Sequence, residues 1–299
     1  MIEELTFSII TVNYGNAALL IEVLDRTLRA LDGRAFEVVI VDNASLDDSF
    51  TRLAILYTDH PNVKLVASGF NGGFGFGCNS GARAASTDIY WFLNSDAWLE
   101  SPEGLDEVLK LVAEPSSGMV GTSVLLENGQ PTPQGGSDMS FGYFLTSSFR
   151  PGALFRKLPP NLRQILLPFA GALPGNIGRY ANAHLSSMRD AIYASPGVGG
   201  ASFLISKATY DSLNGFDERF FLYDEDGDLC LRCLAAGLTN FIAPRMRVLT
   251  YPSATTSKLK SEKLKRIKRD SRLRLIEKHF SGLRKILLLI VTNITWRLL

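Results

Sequence analysis

Residues 36–43 read FEVVIVDN, a largely apolar run that ends in an acid and an amide. A run without regular polar alternation is typical of a strand that is buried on both faces of a parallel sheet. We therefore predict a strand over residues 36–41, with Asp42 and the polar residues after it lying at the carboxyl end of that strand.

Similar segments lie on both sides of this strand. Further strands are predicted at residues 7–12, 63–67 and 89–93. The segments between them carry leucines at helical spacing (20–31), a polar helix start (45–57), and a glycine-rich loop followed by a short helix (69–77 and 78–85). This βαβαβαβ order predicts an α/β fold with a doubly wound sheet and ligands at the carboxyl ends of its strands.

A second stretch of strand and helix patterns begins near residue 196, with a strand at 201–205, a helix at 207–212 and a polar-aromatic loop at 220–228 that enters another helix. Before it, residues 139–189 contain six Lys and Arg and no acid, and their apolar residues between 155 and 169 recur at helical spacing. The pattern predicts a basic amphipathic helix at a membrane interface. The alternative is a surface helix that packs its apolar face on the domain.

Charge is divided unevenly along the chain. Residues 1–257 hold 18 Lys and Arg against 27 Asp and Glu, whereas residues 258–299 hold 13 against 3. A basic tail on an acidic body favours contact with an anionic surface. The tail also carries an apolar helical stripe at Leu273, Ile276, Phe280, Leu283 and Leu287. It either binds an anionic membrane or packs back onto the acidic body.

The predicted organisation is one domain, 1–257, made of an N-terminal half (1–130), a basic insertion (131–195) and a C-terminal half (196–257), followed by the tail at 258–299. No secretory signal follows Met1 and no apolar run is long enough to span a bilayer, so we expect a cytoplasmic, peripheral protein. Cys230 and Cys233 form a single CxxC, and without a second pair we interpret them as core residues. No nucleic-acid partner is expected.

Four segments end predicted strands or follow them directly, so they could meet in one cleft. The first is Thr11-Val12-Asn13-Tyr14, after the first strand. Asp42 either reads a base or ribose from its strand end or caps the next helix. The glycines of 69–77 allow a close backbone approach that can cradle phosphate. Asp96, in Asn94-Ser95-Asp96, either holds a divalent ion such as Mg²⁺ against a diphosphate or belongs to a local turn.

A second acidic cluster lies at residues 224–228, which read DEDGD. Four carboxylates this close repel one another, and one member with a raised pKa could act as a general base on a sugar hydroxyl. The alternative is an acidic helix start that the helix macrodipole favours.

Taken in order, five segments resemble family 2 glycosyltransferases of the GT-A fold, and in particular the rhamnosyltransferase-like subgroup that builds surface polysaccharides. They read SIITVNYGN, VVIVDNASLDDS, NGGFGFGCNSG, YWFLNSDAWLE and GGASFLISKATYDSLNGFDERFFLYDEDGDLCLRCLAAG. The resemblance implies a doubly wound mixed sheet with helices on both faces, in which residues 1–130 form the nucleotide-sugar-binding half and residues 196–257 the acceptor and catalytic half. It also implies that Thr11, Asn13 and Asp42 line the nucleoside pocket and that Asn71 and Gly72 lie near the ribose and diphosphate.

The same resemblance places Asn94 and Asp96 in the metal-binding triplet, with Asp96 the ligand of Mg²⁺ or Mn²⁺, and implies an acidic catalytic pair, Glu225 and Asp226, with Asp226 as the inverting base. Family members often add a histidine after a late strand, but residues 248–253 read VLTYPS, so metal binding is expected to be weak. The implied activity is transfer of a sugar, with rhamnose favoured, from a nucleoside diphosphate to a lipid-linked or polysaccharide acceptor. The alternatives are another donor sugar (N-acetylglucosamine, galactose or galactofuranose) and a non-catalytic glycan- or nucleotide-sugar-binding protein.

Overall fold

A computed structural model describes residues 6–132, 134–135, 139–147, 159, 162, 189–251 and 261–297 of the chain. Most of the predicted basic insertion (131–195) lies outside the described residues. Of its amphipathic pattern at 155–169, only positions 159 and 162 are described.

The N-terminal half alternates strands and helices as the sequence predicts. Its elements are β1 Phe7–Asn13, α1 Ala17–Ala30, β2 Phe36–Asp42, α2 Ser49–Tyr57, β3 Val63–Ala67, α3 Phe74–Ala84 and β4 Ile89–Leu93. The strands pair in parallel in the order β3-β2-β1-β4. The carboxyl ends of all four strands therefore lie at one edge of the sheet.

The remaining elements extend the same sheet with mixed strand directions. They are β5 Ala97–Leu99, α4 Leu105–Ala113, β6 Ser117–Leu126, α5 Phe141–Ser147, β7 Tyr193–Ala194, β8 Ser202–Ser206, α6 Lys207–Ser212, α7 Glu225–Ala235 and β9 Thr239–Thr250. Within the described residues the full strand order is β3-β2-β1-β4-β8-β6-β9-β5, with β7 paired to β9. Strand β8 is antiparallel to β4 and β6, so the mixed sheet that the sequence predicts is confirmed.

Apolar cores cover both faces of the sheet, which explains the run at residues 36–41. Val38 and Ile40 belong to the core on one face, and Val39 and Val41 to the core on the other. Successive side chains of a strand point to opposite faces, so only a strand with both faces buried needs such a run.

Helix α3 begins earlier than predicted. The glycine-rich sequence predicts a loop over residues 69–77, but the helix starts at Phe74, and only residues 69–73 are irregular. A Cβ on Gly77 would lie 2.6 Å from Val12, and one on Gly81 would lie 2.4 Å from Ile10. These two glycines therefore serve close packing of the helix on β1, so their presence in the pattern does not signal a phosphate loop.

Two helices form the C-terminal tail, α8 Ser261–His279 and α9 Gly282–Arg297. The continuous stripe predicted for this region is wrong, because the chain turns between the helices, where Gly282 has φ +56°. Leu275, Ile276 and Leu288 are buried, while Leu283 and Leu287 are exposed. Among the residues that the structure describes, no helix is both long and apolar enough to cross a membrane.

Candidate active site

A cleft of about 460 Å³ opens at the carboxyl edge of the sheet. Four of the residues singled out from the sequence line it: Asn94, Asp96, Glu225 and Asp226. Side chains from β1, α3, β6 and the loop before α7 complete the wall, including Val12, Phe74, Val124, Leu222 and Tyr223. Acids that are 130 residues apart in the sequence thus share one cavity.

The triplet 94–96 is fixed by neighbouring strands. The backbone N–H of Asn94 donates to the carbonyl of Ala201 (2.9 Å), and the carbonyl of Asp96 accepts from Thr250 Oγ1 and from the N–H of Tyr251 (both 3.1 Å). The N–H of Ala97 also donates to the Asn94 carbonyl (3.1 Å), so the triplet does form a turn. Because Asp96 is buried yet lines the cleft, the turn places a carboxylate in its wall.

The four carboxylates of the cluster at 224–228 have different surroundings. Asp224 accepts two hydrogen bonds of 2.9 Å from the guanidinium of Arg272 on α8. Asp228 is fully buried and pairs with Arg232, Lys278 and His279 at 2.7–2.8 Å. Burial raises the pKa of Asp228, but the hydrogen bonds from His279 and Lys278 and the charge of Arg232 outweigh it, so the pKa lies below its usual value. These two acids attach α8 to the body.

Asp226 points into the cleft and is held by backbone groups. Its Oδ2 accepts from the N–H of Gly200 and its Oδ1 from its neighbour Gly227, both at 2.8 Å. A Cβ at position 200 would lie 3.1 Å from the Asp226 Cβ, so a glycine there permits the close approach. A carboxylate has about four lone-pair sites. The oxygens of Asp226 therefore keep capacity for a further proton donor.

Glu225 is buried, with 6% of its surface exposed, whereas Asp226 is only partly buried. Burial, reinforced by the charges of Asp226 and Asp224, raises the pKa of Glu225 well above its usual range. Its Oε2 has no hydrogen-bond partner among the described residues. The member of the cluster with a raised pKa is thus Glu225, whose protonated form is favoured and can donate a hydrogen bond.

The loop that carries these acids is held in an unfavourable backbone conformation. Tyr223 and Asp224 both have positive φ, +71° and +62°, which costs on the order of 1 kcal/mol or more for each such residue. Two contacts fix the loop from outside: Ser271 Oγ on α8 donates to the Leu222 carbonyl (2.9 Å), and the Phe74 N–H donates to the Phe221 carbonyl (2.9 Å). The loop therefore depends on α8 and α3 for its shape.

Close packing against Phe221 also accounts for the glycine that precedes α3. Gly73 has φ +97°, and a Cβ there would lie 2.0 Å from the Phe221 carbonyl oxygen. Asn71 supports the same turn by accepting from the Gly73 N–H (3.0 Å) and from Asn43 Nδ2 (3.1 Å). A Cβ on Gly72 would meet the Phe76 ring at 2.4 Å. Glycines 72 and 73 are thus required by the turn itself.

Asn13 and Asp42 lie side by side at the ends of β1 and β2. Asn13 Nδ2 donates to Asp42 Oδ2 (2.9 Å), and Ser45 donates to the same carboxylate through its N–H (2.9 Å) and its Oγ (2.6 Å). Helix α2 begins only at Ser49, so the alternative in which Asp42 caps this helix is wrong. Asp42 instead closes a local turn. Thr11 lies on the same face of β1 as Asn13, buried, and its Oγ1 has no hydrogen-bond partner in the described part of the chain.

The nine predicted site residues thus form two groups at one edge. Thr11, Asn13, Asp42, Asn71 and Gly72 surround the ends of β1, β2 and β3 and do not line the 460 Å³ cleft, which the other four line. Val12 and Phe74 belong to the cleft wall and are neighbours of the first group in sequence.

Several residues of the site escaped the sequence analysis. Gly200, Tyr223, Thr250 and Tyr251 line the cleft, and Arg272 holds its acidic loop. Sequence offers no signal for Arg272, which meets Asp224 from 48 positions away and is one of eleven Lys and Arg in residues 261–297. Within the described ranges, no three His, Cys, Asp or Glu residues lie close enough to hold a metal ion without other ligands.

Comparisons with known proteins identify similar glycosyltransferases. Residues 8–169 match the sequence model of glycosyl transferase family 2. The chain is 28% identical over 222 residues to the O-antigen biosynthesis protein RfbC of Myxococcus xanthus, a match to 74% of this chain but only 15% of that protein. It is 26% identical over 249 residues to the N-acetylglucosaminyl-diphospho-decaprenol L-rhamnosyltransferase of Mycobacterium tuberculosis, covering 79% of this chain and 74% of the relative.

The fold is shared with solved structures at low sequence identity. The crystal structure of GalNAc-T7 with UDP, GalNAc and Mn²⁺ superposes with a TM-score of 0.61 at 13% identity. The superposition covers 93% of this chain and 48% of that one. At this identity the likeness concerns the fold alone.

Proposed function

The chain belongs to glycosyl transferase family 2, and from this premise we propose that it is an inverting glycosyltransferase with Asp226 as its general base. The observation that carries the proposal is the position of Asp226. Its carboxylate lies in the cleft that Asp96 also lines, and its two described hydrogen bonds come from backbone N–H groups. Two backbone N–H donors hold the carboxylate of Asp226 in one orientation within the cleft.

The proposed reaction uses the two acids for different purposes. Asp226 takes the proton from the acceptor hydroxyl as that oxygen attacks C1 of the donor sugar from the face opposite the leaving nucleoside diphosphate, which inverts the anomeric centre. The transition state has oxocarbenium character, as in glycoside hydrolysis. The raised pKa of Glu225 favours its protonated form, which can donate a hydrogen bond to substrate in the cleft, while Asp226 abstracts the proton.

The donor is proposed to bind along the edge formed by β1 to β4. Thr11, Asn13 and Asp42 line the nucleoside pocket, and Asn71 and Gly72 lie near the ribose and diphosphate. Thr11 supports this placement because its buried Oγ1 has no partner among the described residues. Asp42 already accepts three hydrogen bonds from Asn13 and Ser45, so it would bind a base or ribose as an oriented acceptor.

A divalent cation, Mg²⁺ or Mn²⁺, fits the cleft only with help from the substrate. Asp96 supplies one carboxylate and Asn94 a neutral amide, and both line the wall. Mg²⁺ is often held by one or two carboxylates together with substrate phosphates and water. Such an ion offsets negative charge on the departing diphosphate. The structure of GalNAc-T7, which contains Mn²⁺, agrees with this proposal.

Rhamnose is the favoured donor sugar, and a lipid-linked or polysaccharide acceptor in cell-surface glycan synthesis is the favoured acceptor. Both rest on the names of the two relatives, a rhamnosyltransferase that acts on a diphospho-decaprenol and an O-antigen biosynthesis protein. N-acetylglucosamine, galactose and galactofuranose remain the alternative donor sugars. An acceptor with a polyprenyl anchor would place the enzyme at the inner face of the cell membrane as a peripheral cytoplasmic protein.

A donor panel tests the proposal. The purified chain is incubated with nucleoside diphosphates of rhamnose, N-acetylglucosamine, galactose and galactofuranose, with N-acetylglucosaminyl-diphospho-polyprenol as acceptor and with Mn²⁺ or EDTA. Release of nucleoside diphosphate should depend on the acceptor, be largest with the rhamnose donor, and give a product of inverted configuration by NMR. Donor binding without turnover under every condition would favour the non-catalytic alternative, and retained configuration would exclude Asp226 as an inverting base.

A further inference from the structure

Helix α9 exposes a continuous apolar face. Five of its residues share one side at spacings of three, four and seven: Leu283, Ile286, Leu287, Ile290 and Ile294. Their exposed fractions are 84, 54, 44, 51 and 53%. Residues at these spacings lie one above another along a helix. The five side chains are therefore neighbours on a single surface, which we call the α9 face.

The opposite side of the same helix is buried. Leu288 and Thr292 are inaccessible to solvent, and Thr295 is nearly so. Leu288 belongs to the core beneath the sheet, and α9 contacts α5 and α8. The helix is thus seated on the body by one side, and the exposure of the other side does not come from an undocked tail.

The surroundings of the α9 face are strongly basic. Residues 261–297 hold eleven Lys and Arg against three Asp and Glu. Several of these cations contact the body. Arg272 pairs with Asp224, and Lys278 pairs with Asp217 and Asp228. Lys268 and Arg274 lie over the rings of Tyr223 and Phe220. Those pairs agree with the alternative in which the tail packs on the acidic body. Of the other cations, Lys263, Arg266 and Arg284 are exposed, and Arg284 follows Leu283 at the start of α9.

This combination favours one occupant. A second copy of the chain would bring its own basic helices against these, and like charges would repel. An anionic bilayer attracts them, and each Lys or Arg near its surface contributes about 1 kcal/mol. An amphipathic helix that cannot span a bilayer can still bury its apolar side at the headgroup boundary.

We propose that the α9 face inserts into the interfacial layer of an anionic lipid bilayer, with α9 parallel to the membrane plane. This rests on the proposed function in one respect, the peripheral location of the enzyme, and it names the surface responsible. Helix α8 precedes α9 and contacts the loop that leads into α7 and Asp226. Docking through α9 would therefore hold the active site at a fixed height above the lipid surface, where a lipid-diphosphate acceptor presents its sugar.

Vesicle binding by the full chain tests the proposal. Truncation of the whole tail is unsuitable because it removes the Arg272 and Ser271 contacts to the catalytic loop. The variant is Ile286→Gln with Ile290→Gln, which replaces two exposed side chains by residues of good helix propensity. The matched control is Ile55→Gln with Leu56→Gln, two exposed apolar residues of α2.

Co-sedimentation is measured with phosphatidylcholine vesicles with and without phosphatidylglycerol. The wild type and the α2 control should bind only the anionic vesicles, and binding should fall as salt rises from about 0.1 M to about 1 M, where the Debye length drops from about 10 Å to about 3 Å. The α9 variant should lose at least about tenfold in affinity, as expected when apolar area is removed from an interfacial helix. Its melting temperature should remain that of the wild type.

Three results would overturn the proposal. The first is equal binding of neutral and anionic vesicles, and the second is unchanged binding by the α9 variant. The third is a wild type that does not bind anionic vesicles, as expected if another segment of the chain covered the face. A dimer in sedimentation equilibrium that becomes a monomer only in the α9 variant would assign the face to a second copy. Turnover of a water-soluble acceptor analogue is measured in parallel. Vesicle binding without turnover would contradict only the proposed glycosyltransferase activity. Turnover without vesicle binding would contradict only the docking of the α9 face.

Discussion

Arg272→Ala is expected to damage catalysis from outside the cleft. Its guanidinium donates two hydrogen bonds of 2.9 Å to the carboxylate of Asp224, and both side chains are largely buried. Asp224 stands next to Glu225 and Asp226 and has positive φ. Without the arginine, the carboxylate of Asp224 loses its two guanidinium hydrogen bonds while two other acids lie next to it in sequence. The strained loop also loses one of its contacts with α8.

The size of the effect follows from these contacts. Hydrogen bonds to charged groups contribute about 1.5–3 kcal/mol, and leaving a buried charge unpaired costs about 3–5 kcal/mol. Because this pair keeps some exposure, we expect a loss of about 2–3 kcal/mol in the free energy of unfolding. A shift of the base by about 1 Å can cost on the order of 100-fold in rate, so kcat should fall between about 10- and 100-fold.

Urea denaturation and steady-state kinetics measure the two effects. Arg266→Ala is the matched control, since Arg266 lies on the same helix with its side chain 80% exposed. Exposed substitutions of this kind change stability by about 0.5 kcal/mol or less. Arg272→Lys should fall between the wild type and Arg272→Ala, because lysine keeps the charge but cannot form the paired hydrogen bonds. Stability and kcat of Arg272→Ala equal to those of Arg266→Ala would refute the role of α8 in holding the loop.

Three further predictions concern the cleft and its support. Gly73→Ala should lower the free energy of unfolding by about 2–4 kcal/mol and Gly69→Ala by about 1 kcal/mol, because both have positive φ but only the first meets a carbonyl oxygen at 2.0 Å. Equal losses in urea denaturation would contradict the packing argument. Glu225→Gln should raise the melting temperature at pH 8 but not near pH 4.5, since a carboxyl with a raised pKa loses folding stability as pH rises above its unfolded value. A pH-independent difference would contradict it. Asp96→Ala should weaken donor binding in titration calorimetry with Mn²⁺. Unchanged affinity with and without Mn²⁺ would rule Asp96 out as the ligand.

Much of the fold could be predicted where local sequence and tertiary environment agree. The strands at 63–67 and 89–93 and the helix at 207–212 have the predicted bounds. The start of α3 could not be predicted, because the Phe221 carbonyl, far away in sequence, receives the N–H of Phe74. Strands β6 and β9 escaped as well, apart from the end of β9. They pair with each other, and β6 also pairs with β8. The β propensity of a segment depends on such cross-strand partners.

The site shows the same division. Strand ends identify Asp42 and Asp96 as edge residues, and the density of charge identifies 224–228 as an unusual cluster. The sequence does not show that Asp224 and Asp228 bind α8 while the other two acids of the cluster line the cleft. The partners of Asp224 and Asp228 are Arg272, Lys278 and His279, which lie about 50 positions later in the chain. The open face of α9 is likewise visible only once the structure shows which side of the helix is buried.

The measurement that bears most directly on the proposed mechanism is turnover by Asp226→Asn. The amide keeps the shape of the side chain and can still accept one backbone hydrogen bond, but it cannot take a proton from the acceptor. We predict that donor affinity stays unchanged while turnover falls by about 100-fold or more, the usual scale for loss of a general base. Near-normal turnover in Asp226→Asn, together with its loss in Glu225→Gln or Asp224→Asn, would contradict the assignment of the base.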